Sequence, residues 1–290
     1  MGRAGASGIQ TRGRSAGRHM RVLFSGISIQ GRRAENQDSV WGRTYRRRQG
    51  CLRAVAALAD GMGGVRGGAR AAGLAVATVK ESLREPPPTD SDLVSWVRTL
   101  FLSCHRRIAE EGQADESLRG MGTTLVLAAV GEADVVVGWV GDSRCYRVTG
   151  SGAEPVTKDH TVLQEVLDKD VKTLEELRES IEYAALSATL TRALGTEGQA
   201  APDTRRLPIR ENEIYFLCSD GLTGSILEPV VKPGVIHGQL VGHRHMRPAL
   251  KNLASLAYYG GSSDNISIAT LELGRLPRSK PWAKKEPNVE

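Results

Sequence analysis

Apolar positions along the chain follow two periods, and together they predict eight strands and three longer helices. Continuous or alternating apolar runs are typical of strands, and apolar residues that recur every three or four positions are typical of helices. Many strands with a few long helices in separate runs favour an α+β fold with helices outside packed sheets. The predicted strands are 22–29, 39–45, 52–59, 125–130, 135–140, 144–148, 214–218 and 266–271, and the predicted helices are 69–83, 92–111 and 247–259.

Residues 161–183 differ from the rest because they combine helical spacing with many charged residues. The stretch lies between the sixth and seventh predicted strands, and Thr173 and Glu176 fit the spacing of a helix-capping pair. A charged helical segment inserted between two strands predicts a lid over one end of the fold.

Carboxylates stand at the ends of three predicted strands. Asp60 and Asp220 each follow an apolar strand and precede a glycine, and Asp264 lies just before the last strand. A carboxylate at the end of a buried strand costs free energy unless a partner neutralises its charge. A single Asp-Gly pair is more often a turn than a metal ligand. Three such positions in one chain favour a shared divalent cation.

Two further aspartates extend this acidic set. Asp38 lies near the start of the second strand, and Asp142 lies in a tight turn between two strands. No histidine adjoins Asp60, Asp220 or Asp264. The candidate donors are therefore hard oxygen atoms, which suit Mg²⁺ or Mn²⁺ better than zinc.

Arg33 precedes Asp38 by five residues. Alone, it would most simply be a surface arginine. Beside an acidic metal cluster, a guanidinium can bind a phosphate through two parallel hydrogen bonds. We therefore expect Arg33 to anchor an anionic group of the substrate.

Composition and charge place the positive excess outside the body of the chain. The 290 residues are 40% hydrophobic and carry a net charge of +6. Residues 1–20 hold four arginines and no acid, and residues 275–290 hold five basic and two acidic residues, so the body carries about −1. This distribution disfavours nucleic-acid binding by the fold. We predict a disordered basic leader or cloning remnant at 1–20, one domain at 21–273 and a basic tail at 274–290.

The four cysteines show no paired spacing, which is typical of reduced thiols in a cytoplasmic protein. No apolar run approaches the ~18 residues that a membrane helix needs. The first twenty residues lack the apolar stretch of a signal peptide. We therefore expect a cytoplasmic protein with no membrane span.

Six short motifs follow one another along the chain. They are Arg33-x-x-Asn-Gln-Asp38, Asp60-Gly-Met-Gly-Gly64, Met121-Gly-Thr-Thr124, Gly141-Asp-Ser-Arg144, Ser219-Asp-Gly221 and Ser263-Asp-Asn265. Their order resembles that of the type 2C (PPM) metal-dependent serine/threonine protein phosphatases, in the bacterial branch. The resemblance covers about residues 21–273, and six motifs in order are far more specific than any one of them.

The resemblance implies a four-layer α-β-β-α sandwich, with two antiparallel sheets flanked by helices and two metal ions at one end. Asp60 would bridge both ions. Asp220 and Asp264 would complete one site, and the Gly61 carbonyl would serve the other. Residues 161–188 would form a flap that shapes substrate access.

The remaining polar residues of the motifs have lesser implied roles. Asp38 and the Gln37 amide would act largely through bound water, and Asp142 would bind a weak third ion. The implied reaction is hydrolysis of a phosphate monoester by metal-activated water, with Arg33 and the ions stabilising the phosphoryl charge. Arg33, Asp38 and Asp60 are the predicted catalytic residues.

Three positions depart from the pattern of the family. Val65 stands where many relatives have a histidine that could protonate the leaving oxygen. Ala69 replaces a common glutamate, and Gly224 replaces an acid that would help to hold the third ion. We expect a working but slow hydrolase, in which water supplies the proton to the leaving group.

The resemblance predicts a monomeric serine/threonine protein phosphatase that acts on phosphoproteins of a serine/threonine kinase system. Two alternatives remain at this point: a pseudophosphatase scaffold that binds phosphoproteins or a kinase without turnover, and a phosphatase for small phosphorylated metabolites. The retained aspartates argue against the scaffold.

Two more residues near the motifs have ambiguous roles. His160 could act near the flap, but a structural hydrogen-bonding role is the simpler interpretation. Arg192 is equally consistent with an outer phosphate contact and with a structural ion pair.

Overall fold

The computed structural model describes residues 20–62, 64–169, 176–177, 182–197, 200–224, 230–241 and 245–274, without the side chains of residues 46–48 and 64–66. The predicted leader lies outside these ranges except for Met20, and the predicted tail lies outside them except for Gly274. Thr173 of the predicted capping pair also lies outside the described residues.

The described strands form two antiparallel sheets. The first has the order β1-β11-β10-β7-β8, and the second has the order β2-β3-β5-β6-β9, with the short β4 paired to the end of β3. The strands are β1 (Val22–Ile29), β2 (Asp38–Gln49), β3 (Leu52–Met62), β4 (Gly122–Thr123), β5 (Leu125–Val130), β6 (Asp134–Val140), β7 (Arg144–Val148), β8 (Ala153–Pro155), β9 (Asp203–Pro208), β10 (Glu213–Cys218) and β11 (Ile266–Leu273).

Helices cover the outer face of each sheet. The long helices α1 and α2 pack on the second sheet, and α6 and α7 pack on the first, while a third apolar cluster fills the space between the sheets. This arrangement confirms the predicted four-layer α-β-β-α sandwich. The helices are α1 (Gly64–Ser82), α2 (Leu93–Ala114), α3 (Val162–Asp168), α4 (Tyr183–Ala188), α5 (Asp220–Thr223), α6 (Pro233–Leu240) and α7 (Met246–Tyr259).

Strand β3 is buried on both faces, which explains its unbroken apolar sequence. Successive side chains of a strand point to opposite faces. Val55 and Ala57 therefore pack toward α1 and α2, whereas Ala56 and Leu58 pack between the two sheets. A central strand of a four-layer fold meets apolar neighbours on each side, so polar alternation is absent.

The predicted strands and long helices are all present, and their ends differ by a few residues. The most consequential difference is at β3, which continues to Met62 instead of ending at residue 59. Asp60 and Gly61 consequently lie within the strand and pair with neighbouring strands, rather than in a turn after it.

Sequence patterns missed β4, β8, β9, α5 and α6. Strand β9 lies at the edge of its sheet and carries mostly polar, partly exposed side chains, so it has no apolar period to detect. The two residues of β4 are too few to show a period. The three missed strands each pair with a neighbouring strand of the sheets.

The described residues of the predicted flap include the short helices α3 and α4, which share a small apolar core. Helix α3 begins after Thr161, whose hydroxyl accepts a hydrogen bond from the backbone N–H of Gln164 (3.2 Å). Leu163 and Leu177 are buried and pack with Tyr183 and Leu186 of α4. This cluster is separate from the three main apolar clusters. Over the described residues, no helix combines the length and apolar character needed to cross a membrane.

Candidate active site

Antiparallel pairing gathers the predicted aspartates at one edge of the sandwich. Asp38, at the start of β2, lies opposite Asp60 near the end of β3. Asp220 lies two residues after the end of β10, and Asp264 lies two residues before β11. Because β10 and β11 are antiparallel neighbours, the end of one strand lies beside the start of the other.

A cavity of about 540 Å³ opens at this edge. Six of the seven predicted site residues line it, and Asp38 does not. Asp38 is partly buried, and its Oδ2 atom accepts a hydrogen bond from Ser219 Oγ (3.0 Å). The lining residues are Arg33, Ala34, Glu35, Gln37, Asp60, Gly61, Met62, Thr124, Asp142, Ala188, Leu190, Asp220, Asp264 and Asn265.

Burial raises the pKa of four of these carboxyl groups. For Asp60, Asp142 and Asp220, burial is the largest cause, and neighbouring carboxylates add to it by charge repulsion. Burial raises the pKa of Asp38 to about 6, although Ser267 and Ser219 partly offset the effect by hydrogen bonding. A nearby cation would favour the ionised form of each group. Ionising these four carboxyl groups together is therefore costly without a cation.

Two buried oxygen atoms in this cluster support the fit to a cation. Asp38 Oδ1 and Asp220 Oδ1 have no hydrogen-bond partner within the described part of the chain. A buried oxygen without a partner is costly, and hard oxygen donors are what Mg²⁺ and Mn²⁺ prefer. The residues present therefore fit divalent cations.

The carboxylates are spread along the cavity rather than arranged around one point. In the described ranges, no three His, Cys, Asp or Glu side chains converge closely enough to hold an ion by themselves. The Asp60 carboxyl nevertheless lies within hydrogen-bonding reach of Asp220. A cation here would need backbone oxygen and water in addition to carboxylates, which suits Mg²⁺ and its preference for retained waters.

The Met121–Thr124 motif holds Asp60 in place. Thr124 Oγ1 accepts a hydrogen bond from the Asp60 backbone N–H (3.1 Å), and Thr123 Oγ1 donates one to the Asp60 carbonyl (2.8 Å). Thr124 Oγ1 also bonds Ser143 Oγ (2.8 Å), which links β3 to the turn that carries Asp142. Sequence reasoning placed this motif but assigned it no role. Two adjacent hydroxyl residues at the head of an apolar strand were the available signal.

Gly61 allows helix α1 to approach the site closely. A Cβ atom at position 61 would collide with the backbone of Gly68 in α1, and one at position 68 would come within 2.6 Å of Gln37 Oε1. The Gly61 backbone also donates to the Gln37 carbonyl (3.3 Å). The glycine after Asp60 is therefore required by packing, whether or not its carbonyl binds an ion.

Ser219 and Asn265 connect the acidic residues to the loop before β2. The Asn265 Oδ1 atom accepts from the Gln37 N–H (2.9 Å), and its Nδ2 donates to the carbonyls of Gln30 and Glu35 (2.7 and 2.9 Å). Ser219 is fully buried and accepts from the Ser267 N–H (3.0 Å). Sequence reasoning quoted both residues within motifs and missed their positioning roles. Their signal was a polar residue directly beside an aspartate.

Arg33 lies at the rim and contacts the acidic cluster directly. Its Nη2 donates to Asp264 Oδ2 at 2.6 Å, and 57% of its side chain is exposed. The hydrogen bond to Asp264 raises the pKa of the guanidinium. The arginine therefore stays charged and lies where it can contact both an anion in the cavity and the carboxylate of Asp264.

A smaller cavity of about 130 Å³ adjoins Asp142 and Asp220 on the flap side. Leu163, Ser187 and Ala188 bring the flap to its wall, and Ala188 also lines the main cavity. Gly224 lies on the same wall with φ 65° and ψ −158°, a conformation that is essentially restricted to glycine. The missing acid at position 224 thus coincides with a backbone shape that an acidic residue would not readily adopt.

Arg144 and Asp159 form a buried ion pair beside this cavity. The guanidinium Nε and Nη2 atoms donate to the carboxylate at 2.9 and 2.7 Å. The pair joins β7 to the segment that leads into the flap. Arg192, in turn, donates to Asp203 Oδ1 (3.0 Å), which favours the structural interpretation of that residue.

Comparison with known proteins places this geometry among protein phosphatases. The family described as "Protein phosphatase 2C" matches residues 26–253. The serine/threonine phosphatase stp of Listeria monocytogenes is 30% identical over 220 residues, which are 75% of this chain and 84% of that protein.

Two solved structures extend the similarity to the fold. The serine/threonine phosphatase of S. agalactiae has a TM-score of 0.76 at 25% identity, covering 87% of this chain and 99% of that one. The catalytic domain of the serine/threonine protein phosphatase PstP, in complex with two manganese ions, has a TM-score of 0.72 at 27% identity, covering 89% and 100%. None of these similarities supports a scaffold without turnover or a metabolite phosphatase.

Proposed function

The chain belongs to the protein phosphatase 2C family and is a serine/threonine protein phosphatase of the bacterial branch, and from this premise we propose how its own residues carry out the reaction. We propose that Asp60, the Gly61 carbonyl, Asp220 and Asp264 hold two divalent cations, Mn²⁺ or Mg²⁺. Asp38 and Gln37 would support bound water, and Asp142 would bind a weaker third ion.

The observation that carries the proposal is the buried acidic cluster with unsatisfied oxygens. Asp38 Oδ1 and Asp220 Oδ1 are buried without partners in the described part of the chain, and burial raises the pKa of the carboxyls around them. A protein that gained nothing from a cation would bear this cost without benefit. The PstP structure with two manganese ions supports the same number of ions here.

Bound divalent cations supply hydroxide near neutral pH and offset the negative charge of a phosphoryl group. The chain contributes the geometry around that chemistry. Arg33 binds the phosphoryl oxygens from the rim of the cavity. Thr123 and Thr124 hold the backbone of Asp60, and Ser219 holds the carboxylate of Asp38, so the donors are fixed before substrate arrives.

The remaining step is protonation of the oxygen atom of the leaving group. The described wall of the cavity contains neither histidine nor cysteine, and we assign protonation of the leaving oxygen to water. The Val65 side chain falls outside the described residues. A reaction without a protein acid would be slower than one with an acid, because positioned acid catalysis contributes about 10²–10⁴-fold.

The proposed substrates are phosphoserine and phosphothreonine on proteins modified by a serine/threonine kinase. The four cysteines are all buried and unpaired, which suits a reducing compartment, and we place the reaction in the cytoplasm with a monomeric enzyme.

The test is hydrolysis of p-nitrophenyl phosphate and of a phosphothreonine peptide, each with Mn²⁺ and with EDTA. We expect metal-dependent release of phosphate from both. Asp220→Asn should lower kcat by about 100-fold or more, by analogy with loss of one electrostatic stabiliser. Asp115→Asn, in the exposed loop after α2, is the matched control, and its kcat should equal that of the unsubstituted enzyme.

Two outcomes would contradict the proposal. Equal rates of hydrolysis with Mn²⁺ and with EDTA would contradict the proposal that the reaction depends on a divalent cation. Full activity of Asp220→Asn would show that Asp220 is not an essential ion ligand, although the proposed reaction class would stand.

A further inference from the structure

The turn that carries Asp142 is held by a histidine that the reaction does not use. The Gly141 N–H donates to His160 Nδ1 at 3.1 Å, and the His160 N–H donates back to the Gly141 carbonyl at 3.0 Å. His160 is 6% exposed, so water does not replace the imidazole as the acceptor for the Gly141 N–H. Because Nδ1 accepts a hydrogen bond, the ring proton lies on Nε2.

The opposite side of the ring is also occupied. His160 Nε2 lies 3.2 Å from Asp203 Oδ2 on β9, and the ring stacks on Trp139 with centroids 6.2 Å apart. Trp139 belongs to β6 and its indole N–H donates to the Lys158 carbonyl (2.7 Å). The imidazole is thus fixed in one orientation by contacts on three sides.

His160 also stands at the root of the flap. Thr161, the next residue, caps helix α3, and the His160 carbonyl accepts from the Thr191 N–H (2.9 Å) on the far side of the flap. One residue therefore joins the Asp142 turn, the entry to the flap and its exit. Gly141 has φ 101°, a backbone conformation that favours glycine. Its buried N–H needs a hydrogen-bond acceptor, because a buried N–H without one is costly.

We propose that His160 is a positioning residue, whose Nδ1 accepts a hydrogen bond from the Gly141 N–H. This bond orients Asp142 toward the cavity and fixes the position of the Asp142 turn relative to the flap. The inference rests on the ion site described under the proposed function. It assigns the histidine neither a proton transfer nor a metal contact. The essential atom is Nδ1, and the contact of Nε2 with Asp203 is secondary.

Two variants of similar shape isolate that atom. In His160→Asn, the side-chain oxygen can take the place of Nδ1 and accept from Gly141. His160→Leu has the same branching but no acceptor. Both lose the stacking on Trp139 and the contact with Asp203, so they differ chiefly in the hydrogen bond to Gly141. His160→Gln is the complementary variant, because its amide can reach Asp203 but not Gly141.

The experiment combines steady-state kinetics, Mn²⁺ titration calorimetry and amide hydrogen exchange of residues 140–144. We expect His160→Asn to stay within about threefold of the unsubstituted kcat, whereas His160→Leu and His160→Gln lose about tenfold. KM should change little. Exchange at Gly141 should accelerate in the Leu and Gln variants without added metal, and Mn²⁺ binding should weaken in parallel.

Several results would overturn the inference. Equal kcat, Mn²⁺ binding and Gly141 exchange in the Asn and Leu variants would show that the side chain merely fills space. A Gln variant that matches the unsubstituted protein would assign the role to Asp203 instead. If the Leu variant fails to fold, an Asn variant with unprotected Gly141 would still contradict the proposal.

Failure of the proposed function gives a different result. An unsubstituted protein without Mn²⁺-dependent phosphatase activity would contradict the ion site, while Gly141 exchange in the metal-free variants would still test the hydrogen bond. An active unsubstituted enzyme with indistinguishable variants would contradict the positioning role alone.

Discussion

Arg33 occupies the rim of the acidic cavity with a guanidinium that is more than half exposed and bound to Asp264. Because the same group would bind the phosphoryl oxygens, Arg33→Ala should raise KM for phosphate esters by about 10-fold or more, with a smaller effect on kcat. Steady-state kinetics on p-nitrophenyl phosphate and a phosphopeptide would measure this.

Arg33→Lys is the informative control, because it keeps the charge and loses the forked geometry. Its KM should fall between those of the unsubstituted enzyme and Arg33→Ala. The Mn²⁺ concentration for half-maximal activity should not rise in either variant, since Arg33 competes with a cation for Asp264. An unchanged KM in Arg33→Ala would end the anchor assignment.

Gly224 illustrates how backbone conformation restricts what a site can gain. An acid at this position would add a donor beside Asp142, but the conformation at φ 65° and ψ −158° is essentially restricted to glycine. Gly224→Asp should therefore lower the free energy of unfolding by about 1–3 kcal/mol, measured by denaturant unfolding without metal. Gly234→Asp, in the first turn of α6, is the control, because a Cβ atom there would enter open space. Equal stability of the two variants would contradict the strain argument.

Among the elements, the described residues of the flap contain a small apolar core of their own. Leu163 is 1% exposed and packs with Leu177, Tyr183 and Leu186, apart from the main clusters. Leu163→Ala should cost about 2–5 kcal/mol of local stability. The loss should appear as faster hydrogen exchange within residues 161–190, with little change in the exchange of β3 and β10.

The matched control is Leu102→Ala, because Leu102 is 52% exposed on α2. It should leave exchange in the flap unchanged. A uniform increase in exchange across both sheets of Leu163→Ala would show that the flap and sandwich unfold as one unit.

At the scale of the whole molecule, the acidic cluster links metal binding to stability. An ion that binds the native state at about 100 times its Kd adds about 2.7 kcal/mol. For a domain of this size, the expected rise in Tm with Mn²⁺ is about 5–10 °C. Thermal unfolding with Mn²⁺ and with EDTA measures it at constant pH.

Asp220→Asn provides the contrast for this prediction. Removing one buried charge should raise the Tm of the metal-free protein and reduce the shift caused by Mn²⁺. Identical shifts in both proteins would show that the ion stabilises the fold from somewhere other than this cluster.

The residue patterns of the chain were sufficient to predict an α+β fold with helices outside packed sheets, and to identify the set of acidic residues. Unbroken apolar runs such as β3 and β5 predict strands covered on both faces, because a strand in water on one side would alternate. Asp60, Asp220 and Asp264 were recognisable because a carboxylate next to such a strand needs a partner. These signals are local, so a single sequence carries them.

What holds those residues in place became visible only once the strands and helices were packed together. The hydrogen bonds of Thr124 to Asp60, of Asn265 to the loop before β2 and of His160 to Gly141 join positions 19 to 235 residues apart in the chain. The edge strand β9 likewise depends on β6, a neighbour distant in sequence. Such partners come together only when the strands pair, since periodicity along a chain reports which face is buried but not what lies against it.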